Sequence, residues 1–129
     1  MTPLTCFKAY DIRAKLGADL NEDIAYRIGR SVAQTLQATQ VVIGFDARET
    51  SPALAKAAAR GVCATGANVL DIGLSGTEEM YWAVTEFDAC AGIEVTASHN
   101  PINYNGMKIV KSHSRPLDDA GDFQVIKAL

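Results

Sequence analysis

The stretch AGIEVTASHNPINYNGMKIV, residues 91–110, holds two apolar runs separated by a dense polar segment. The runs AGIEVTA at 91–97 and MKIV at 107–110 have the composition of buried strands. Only about nine residues, Ser98 to Gly106, separate them. A parallel crossover needs a dozen or more residues, so we expect these two strands to pair as an antiparallel hairpin.

Upstream of this hairpin, strands and helices alternate along the chain. VVIGF at 41–45 and ANVLDIG at 67–73 are short apolar runs typical of strands covered on both faces. Apolar residues at four-residue spacing predict a helix over 21–38, with Asn21 as its N-cap. Further helices are predicted from Ser51, as the cap before Pro52, from Thr77, and from Asp118 or Asp119.

This alternation predicts an α/β fold with helices on both faces of a sheet. We expect residues 1–129 to form a three-layer αβα domain. Its mixed four-stranded sheet should be mainly parallel with one antiparallel edge strand. The last residues, DDAGDFQVIKAL, show helical spacing without a Gly or Asn cap, which favours the hypothesis that the chain is the first part of a longer protein.

The composition is that of a soluble globular protein, with 48% hydrophobic and 21% charged residues. A net charge of −3 argues against nucleic acid as a partner, because phosphate contacts need clustered Lys and Arg. The sequence contains neither a membrane-length apolar stretch nor an apolar signal core, so we expect a cytoplasmic protein with no membrane partner. Cys6, Cys63 and Cys90 form no CxxC pair and are expected to be buried thiols.

The polar segment TASHNP, residues 96–101, follows the third predicted strand. Ser, Asn and Pro are ordinary turn formers, so a plain turn explains this composition equally well. A hydrolase serine at Ser98 would need a base, and His99 is poorly placed because successive side chains of an extended segment point to opposite faces. Acyl hydrolysis is therefore disfavoured.

Phosphoryl transfer suits the nearby cations better, because it depends on positioned positive charge. Lys108 lies across the predicted hairpin from Ser98, Arg13 offers a bidentate fork, and Lys8 offers a point charge. As alternatives, Lys108 is a solvated strand residue and Arg13 is a surface ion-pair partner. The residue types alone leave this choice open.

Three motifs in this order carry a family resemblance: KAYDIR at 8–13, TASHNP at 96–101 and NGMK at 105–108. Together they resemble the first domain of the α-D-phosphohexomutases, most closely the bacterial phosphomannomutase/phosphoglucomutase group. The resemblance covers essentially the whole chain. Asp46 and Arg48 match a further Gly-x-Asp-x-Arg pattern of that family, and we interpret them as a structural carboxylate–guanidinium pair.

The resemblance implies that Ser98 is carried as a phosphoserine that gives its phosphate to mannose or glucose phosphate. A hexose 1,6-bisphosphate intermediate then returns its other phosphate to the serine, so that hexose 6-phosphate and hexose 1-phosphate interconvert. By the same resemblance Arg13 and Lys108 assist the transfer, and a phosphate oxygen on Ser98 binds Mg²⁺. The supporting residues of the phosphate site would be Lys8, Tyr10, His99 and Asn100.

The remaining Mg²⁺ ligands and the sugar-binding and phosphate-binding loops would come, by this resemblance, from later domains of the same polypeptide. The 129 residues alone are therefore expected to be inactive. Two alternatives stay open at this point. One is a non-catalytic α/β binding or regulatory module, and the other is a phosphohexosamine mutase of the same family.

Overall fold

The computed structural model describes residues 7–8, 11–15, 20–96 and 104–116. Its strands are β1 (Phe7–Lys8), β2 (Asp11–Lys15), β3 (Gln40–Phe45), β4 (Asn68–Leu74), β5 (Ala91–Val95), β6 (Tyr104–Lys111) and β7 (Arg115–Pro116). Its helices are α1 (Glu22–Thr35), α2 (Ser51–Cys63) and α3 (Thr77–Glu86), with a 3₁₀ turn at Ser112–Ser114.

The strands form one mixed sheet in the order β1-β2-β6-β5-β3-β4, and β7 also pairs with β6. β3 is parallel to both β4 and β5, whereas β5 and β6 are antiparallel. The α/β class, the four predicted strands and the predicted hairpin pairing are thus confirmed. The sheet continues beyond those four strands, because β2 pairs with the outer side of β6 and places it inside the sheet. The N-terminal strands were not predicted because KAYDIR has no apolar run.

Helices cover both faces of the sheet, as predicted for three layers. The side chains of Val41 and Ile43 in β3 belong to the larger hydrophobic cluster, which also contains buried residues of α1 and α2. Val42 points to the other face and belongs to a second cluster with Met80 and Val84 of α3. Alternate strand residues therefore serve two separate cores.

The two helices on the first face pack through glycines. A Cβ atom at Gly29 would lie 2.1 Å from the carbonyl oxygen of Ala58, and one at Gly61 would lie 2.0 Å from that of Tyr26. Both positions are helical, so the glycines are needed for close approach rather than for backbone freedom. This close contact fixes α2 and its N-terminus relative to the sheet.

The helix starts agree with the sequence at one cap and differ at the other. Asn21 caps α1 as predicted, because its side-chain oxygen accepts the Ile24 backbone N–H at 3.0 Å. Ser51 is not the cap of α2; Thr50 holds that position, and Pro52 lies in the first turn. Ser51 is instead fully buried, and its hydroxyl donates a hydrogen bond to Asp46 Oδ1.

The cysteine prediction is wrong at one position. Cys63, on the last turn of α2, is exposed, and Cys90 is half-buried. Cys6 and the helix predicted from Asp118 or Asp119 lie outside the described residues.

Candidate functional site

The carboxyl ends of β3, β4 and β5 meet at one edge of the sheet, and backbone bonds continue beyond the strand ends. Asp46 N donates to the Val95 carbonyl at 3.0 Å, and Ser75 N donates to the Phe45 carbonyl at 2.8 Å. Such an edge is where open α/β sheets bind their ligands. The loops that follow β3 and β4 therefore begin at residues that backbone hydrogen bonds hold in place.

The strand register brings the backbones of three predicted site segments together at this edge. Arg13 in β2 is the register partner of Gly106 in β6. The carbonyl of Gly106 in turn accepts the Thr96 N–H at 2.9 Å, and Ser98 follows two residues later in the sequence. Lys108 lies two residues further along β6, so its backbone is a diagonal neighbour of Arg13, at about 7–8 Å for such pairs.

The other predicted site residues are only partly covered by the structure. Lys8 lies in β1, in register with Asp11 of β2. Tyr10, Ser98, His99 and Asn100 lie outside the described residues, so their roles stay predictions. The roles assigned to Lys8, Arg13 and Lys108 stay predictions as well.

A buried polar network ties the hairpin to the start of α2. The Asn105 side-chain nitrogen donates to the Thr50 hydroxyl at 2.8 Å and to the Ser51 hydroxyl at 3.0 Å. The Ser51 hydroxyl donates to Asp46 Oδ1 at 2.5 Å, and the Arg48 backbone N–H donates to the same oxygen at 3.0 Å. These bonds link Asn105 to Asp46 through Ser51, so they hold the loop after β3 against β6.

These contacts refine two sequence interpretations. Asp46 and Arg48 were interpreted as a carboxylate–guanidinium pair; the Asp46 carboxylate accepts the Arg48 backbone N–H and organises the turn into α2. Asn105 precedes a glycine in NGMK, which is the local signature of a turn. It is fully buried within β6, and its own oxygen accepts the Gly106 N–H at 2.8 Å.

On the opposite face of the sheet, Glu94 of β5 is fully buried. Its Oε1 atom lies 3.1 Å from the Ser75 hydroxyl oxygen, which also lies 3.1 Å from the Gly73 carbonyl oxygen. Gly44 makes room for this contact, because a Cβ atom there would lie 2.3 Å from Ser75 Oγ and 2.6 Å from Glu94 Oε1. A side chain at Gly44 is therefore incompatible with the Glu94–Ser75 arrangement.

Burial raises the pKa of Glu94 to about 7. A hydrogen bond from the Ser75 hydroxyl to the ionised carboxylate would oppose this rise, whereas the nearby carboxylates of Asp46 and Glu79 add to it. Glu94 was not among the site residues predicted from the sequence. The available signal was a charged residue inside AGIEV, a strand predicted to be buried on both faces.

The described part of the chain offers neither a metal-binding cluster nor a membrane-spanning helix. Within it, no group of three or more His, Cys, Asp or Glu side chains could hold a metal ion. None of its helices is both long and apolar enough to cross a membrane.

The family model for phosphoglucomutase/phosphomannomutase, alpha/beta/alpha domain I, matches residues 5–129. The chain belongs to this family. Its αβα layers and the TASHNP and NGMK motifs therefore lie in the family's first domain, as the sequence resemblance predicted.

Curated and solved relatives agree with this family assignment. A Klebsiella pneumoniae phosphomannomutase is 59% identical over 117 residues, which are 91% of this chain and 74% of that protein. An Escherichia coli phosphomannomutase is also 59% identical over 117 residues, but these are only 26% of its length. A crystal structure of a phosphoglucomutase/phosphomannomutase family protein from Burkholderia thailandensis has a TM-score of 0.84 and 34% identity, covering 98% of this chain and 30% of that one.

Proposed function

We propose that this chain is the serine-bearing first domain of a phosphomannomutase/phosphoglucomutase, which interconverts hexose 6-phosphate and hexose 1-phosphate. The family membership supports the reaction class. The observation that carries the proposal is the register that joins Arg13, Gly106 and Thr96 across neighbouring strands. This register supports the proposal that Arg13 and Lys108 act as cations near the segment that contains Ser98.

In the proposed reaction Ser98 carries a phosphoryl group. A hydroxyl oxygen of the hexose phosphate attacks phosphorus, the Oγ–P bond of Ser98 breaks, and the proton of that hydroxyl passes to a base. The resulting hexose 1,6-bisphosphate reorients, and Ser98 Oγ attacks its other phosphorus. The bond between that phosphorus and the sugar oxygen breaks, and the base returns the proton to the freed sugar oxygen. Lys108 and Arg13 would stabilise the charge on the phosphoryl oxygens during both transfers, which is the main demand of this chemistry.

The supporting residues would define the space around the phosphoserine. We assign Tyr10, His99 and Asn100 to that role, with Lys8 as an additional positive charge. Mannose phosphate and glucose phosphate are the proposed substrates, in the cytoplasm. These assignments follow the motif matches and await the tests below.

Magnesium is expected from the family resemblance, and the described residues offer it no carboxylate cluster. We therefore propose that one oxygen of the Ser98 phosphate is its ligand from this chain. The remaining ligands would come from further domains of the same polypeptide, which fits the small fraction of the Escherichia coli relative that this chain spans. On this proposal the 129 residues alone turn over little substrate.

The decisive experiment compares the full-length protein with its Ser98→Ala variant. We expect intact mass and peptide mapping to place one phosphate on Ser98, and Ser98→Ala to abolish bisphosphate-dependent mutase activity. Thr85→Ala, which removes an exposed hydroxyl from α3, is the matched control and should keep full activity. Full activity in Ser98→Ala would overturn the proposal.

The same protein should be assayed with mannose, glucose and hexosamine phosphates. Turnover of only the hexosamine phosphates would indicate a phosphohexosamine mutase instead. An unphosphorylated Ser98 together with no turnover of any of them would favour a non-catalytic binding or regulatory module.

A further inference from the structure

The contacts of Ser75 require more protons than its hydroxyl has. Its oxygen lies 3.1 Å from Glu94 Oε1 and 3.1 Å from the Gly73 carbonyl oxygen, yet the hydroxyl carries one hydrogen. The Gly73 carbonyl can only accept. Both bonds are made at full strength only if Ser75 donates to Gly73 and Glu94, as a carboxylic acid, donates to Ser75.

The surroundings of Glu94 favour the same protonation state. Its side chain is fully buried, and its second oxygen, Oε2, is buried with no hydrogen-bond partner among the described residues. Leaving a buried oxygen without a partner costs more free energy for an ionised carboxylate than for the neutral acid. Asp46, after β3, and Glu79, on α3, add negative charge nearby, and Lys108 is the register partner of Glu94 on β6.

We propose that Glu94 is a positioning residue that works as a neutral carboxylic acid and fastens the loop after β4 to β5. The chain of bonds would run from the Glu94 O–H to Ser75 Oγ and from the Ser75 O–H to the Gly73 carbonyl. β5 leads directly into the segment that contains Ser98, so the same proton would help to fix the base of that segment. The consequence for catalysis rests on the proposed function, whereas the protonation state does not.

Loss of this proton would break the arrangement in a defined way. The Glu94 carboxylate could only accept, so it would compete with the Gly73 carbonyl for the single Ser75 hydrogen. Gly73 has φ +68°, a conformation that few other residues adopt, and its N–H is bonded to Asp71 Oδ1 at 2.8 Å. We expect the turn at residues 73–76 to loosen when Glu94 ionises.

The first test is infrared spectroscopy of the 129-residue chain with ¹³C-labelled glutamate carboxyl groups. With a pKa of about 7, roughly nine-tenths of Glu94 should be neutral at pH 6, where glutamates of ordinary pKa are ionised. We expect a neutral-acid band that titrates near pH 7. It should be absent in Glu94→Gln and present in Glu86→Gln, which removes an exposed charge from α3.

Absence of a neutral-acid band from the folded wild type at pH 6 would overturn the proposal. If Glu94→Gln does not fold, the wild type alone decides, because the band must disappear when the chain is unfolded by urea at pH 6. The measurement does not depend on mutase activity. A neutral Glu94 in a protein without mutase activity would thus contradict the proposed function and leave this inference intact.

The second test follows amide hydrogen exchange of residues 73–76, corrected for the intrinsic effect of pH. Wild-type protection should decrease at least tenfold between pH 6 and pH 8.5. Glu94→Gln, whose amide N–H can replace the acid O–H, should stay protected at both pH values, and Glu94→Leu should be weakly protected at both. Equal protection in Glu94→Leu and wild type at pH 6 would overturn the positioning role.

Steady-state kinetics of the same variants in the full-length enzyme test whether the turn at residues 73–76 affects kcat. We expect wild-type kcat to fall as pH rises above 7, and the fall to be smaller in Glu94→Gln. KM should change less than twofold, because Glu94 supports the strand rather than the sugar. Identical pH profiles of kcat for Glu94→Gln and wild type would contradict the proposed link to Ser98.

Discussion

Glu94 and Lys108 lie directly opposite each other in the antiparallel pair formed by β5 and β6. Side chains in register across such a pair point to the same face, with Cβ atoms about 4.5–5.5 Å apart. The fully buried Glu94 and the half-buried Lys108 thus share the face covered by α3. Ser98 follows Glu94 by four residues in the sequence, so Lys108 pairs with the strand that leads into the proposed phosphoserine segment.

The position of Lys108 leads to a test of its proposed role. In the full-length protein, Lys108→Met should lower kcat by about 10²–10³-fold, the size of effect seen when one donor to a developing anion is lost. KM for hexose phosphate should change little, because the ammonium would act mainly on the transferring phosphoryl group. Steady-state kinetics measure both quantities.

Lys111→Met is the matched control for Lys108→Met. It removes the same charge from the same strand, at a position three residues after Lys108 and in register with Ala91. We expect nearly wild-type kcat in this control. An equal loss of kcat in both variants would show that Lys108 acts only through the general charge or stability of β6.

The hairpin was predictable from sequence because its connection is too short for a parallel crossover, and the register of Glu94 and Lys108 confirms that pairing. The layers were predictable because the apolar runs of β3 and β5 demand cover on both faces; β4 was predicted to be covered in the same way, but it lies at the sheet edge and has no buried residue. β2 was not predictable, because its pairing with β6 depends on long-range backbone bonds and the alternation in DIRAK includes only two apolar residues, Ile12 and Ala14.

The buried polar groups show a second limit of sequence analysis. Asn105 precedes a glycine and therefore has the local signature of a turn, yet it is buried because Thr50 and Ser51 supply acceptors from a helix 54 or more residues away in sequence. Glu94 is similar, since its partner Ser75 lies on a different loop. The burial of both residues depends on partners that are distant in the sequence, and the local sequence pattern does not reveal those partners.

Asn105→Ala should destabilise the fold measurably. The change removes the donors to the Thr50 and Ser51 hydroxyls from a fully buried position, and we expect a loss of about 2–3 kcal/mol in the free energy of unfolding. Asn68→Ala, at an exposed position of β4, is the control and should change it by less than about 0.5 kcal/mol. Urea denaturation gives both values, and equal losses would contradict the network described here.

Gly61→Ala should also be destabilising, although alanine is the better helix former by about 1 kcal/mol. The new Cβ would lie 2.0 Å from the Tyr26 carbonyl oxygen, so α1 and α2 would have to separate. We expect a net loss of about 1–3 kcal/mol, typical of overpacking. Gly76→Ala, where the nearest atom to a new Cβ is 3.7 Å away, is the control, and a stabilised Gly61→Ala would show that the helices separate freely.

The buried carboxyl of Glu94 makes a specific prediction for stability against pH. Its pKa rises from 4.5 to about 7 in the folded state, so between these values the folded protein holds a proton that the unfolded chain has released. The stabilisation is fully present below pH 4.5 and is lost as pH rises through 7, at a slope of up to about 1.4 kcal/mol per pH unit. Glu94→Gln cannot ionise and should lack this decline.

Urea unfolding of both proteins from pH 5 to pH 9 measures the effect, and their difference removes the titration of all other groups. The free energy of unfolding of Glu94→Gln, relative to that of the wild type, should increase steadily from pH 5 to pH 7. Above about pH 8 the difference should be constant, because Glu94 is then ionised in both the folded and the unfolded state. Glu86→Gln, at an exposed position, should run parallel to the wild type throughout. A Glu94→Gln curve parallel to the wild type would show that Glu94 is ionised in the folded protein at pH 5 and above.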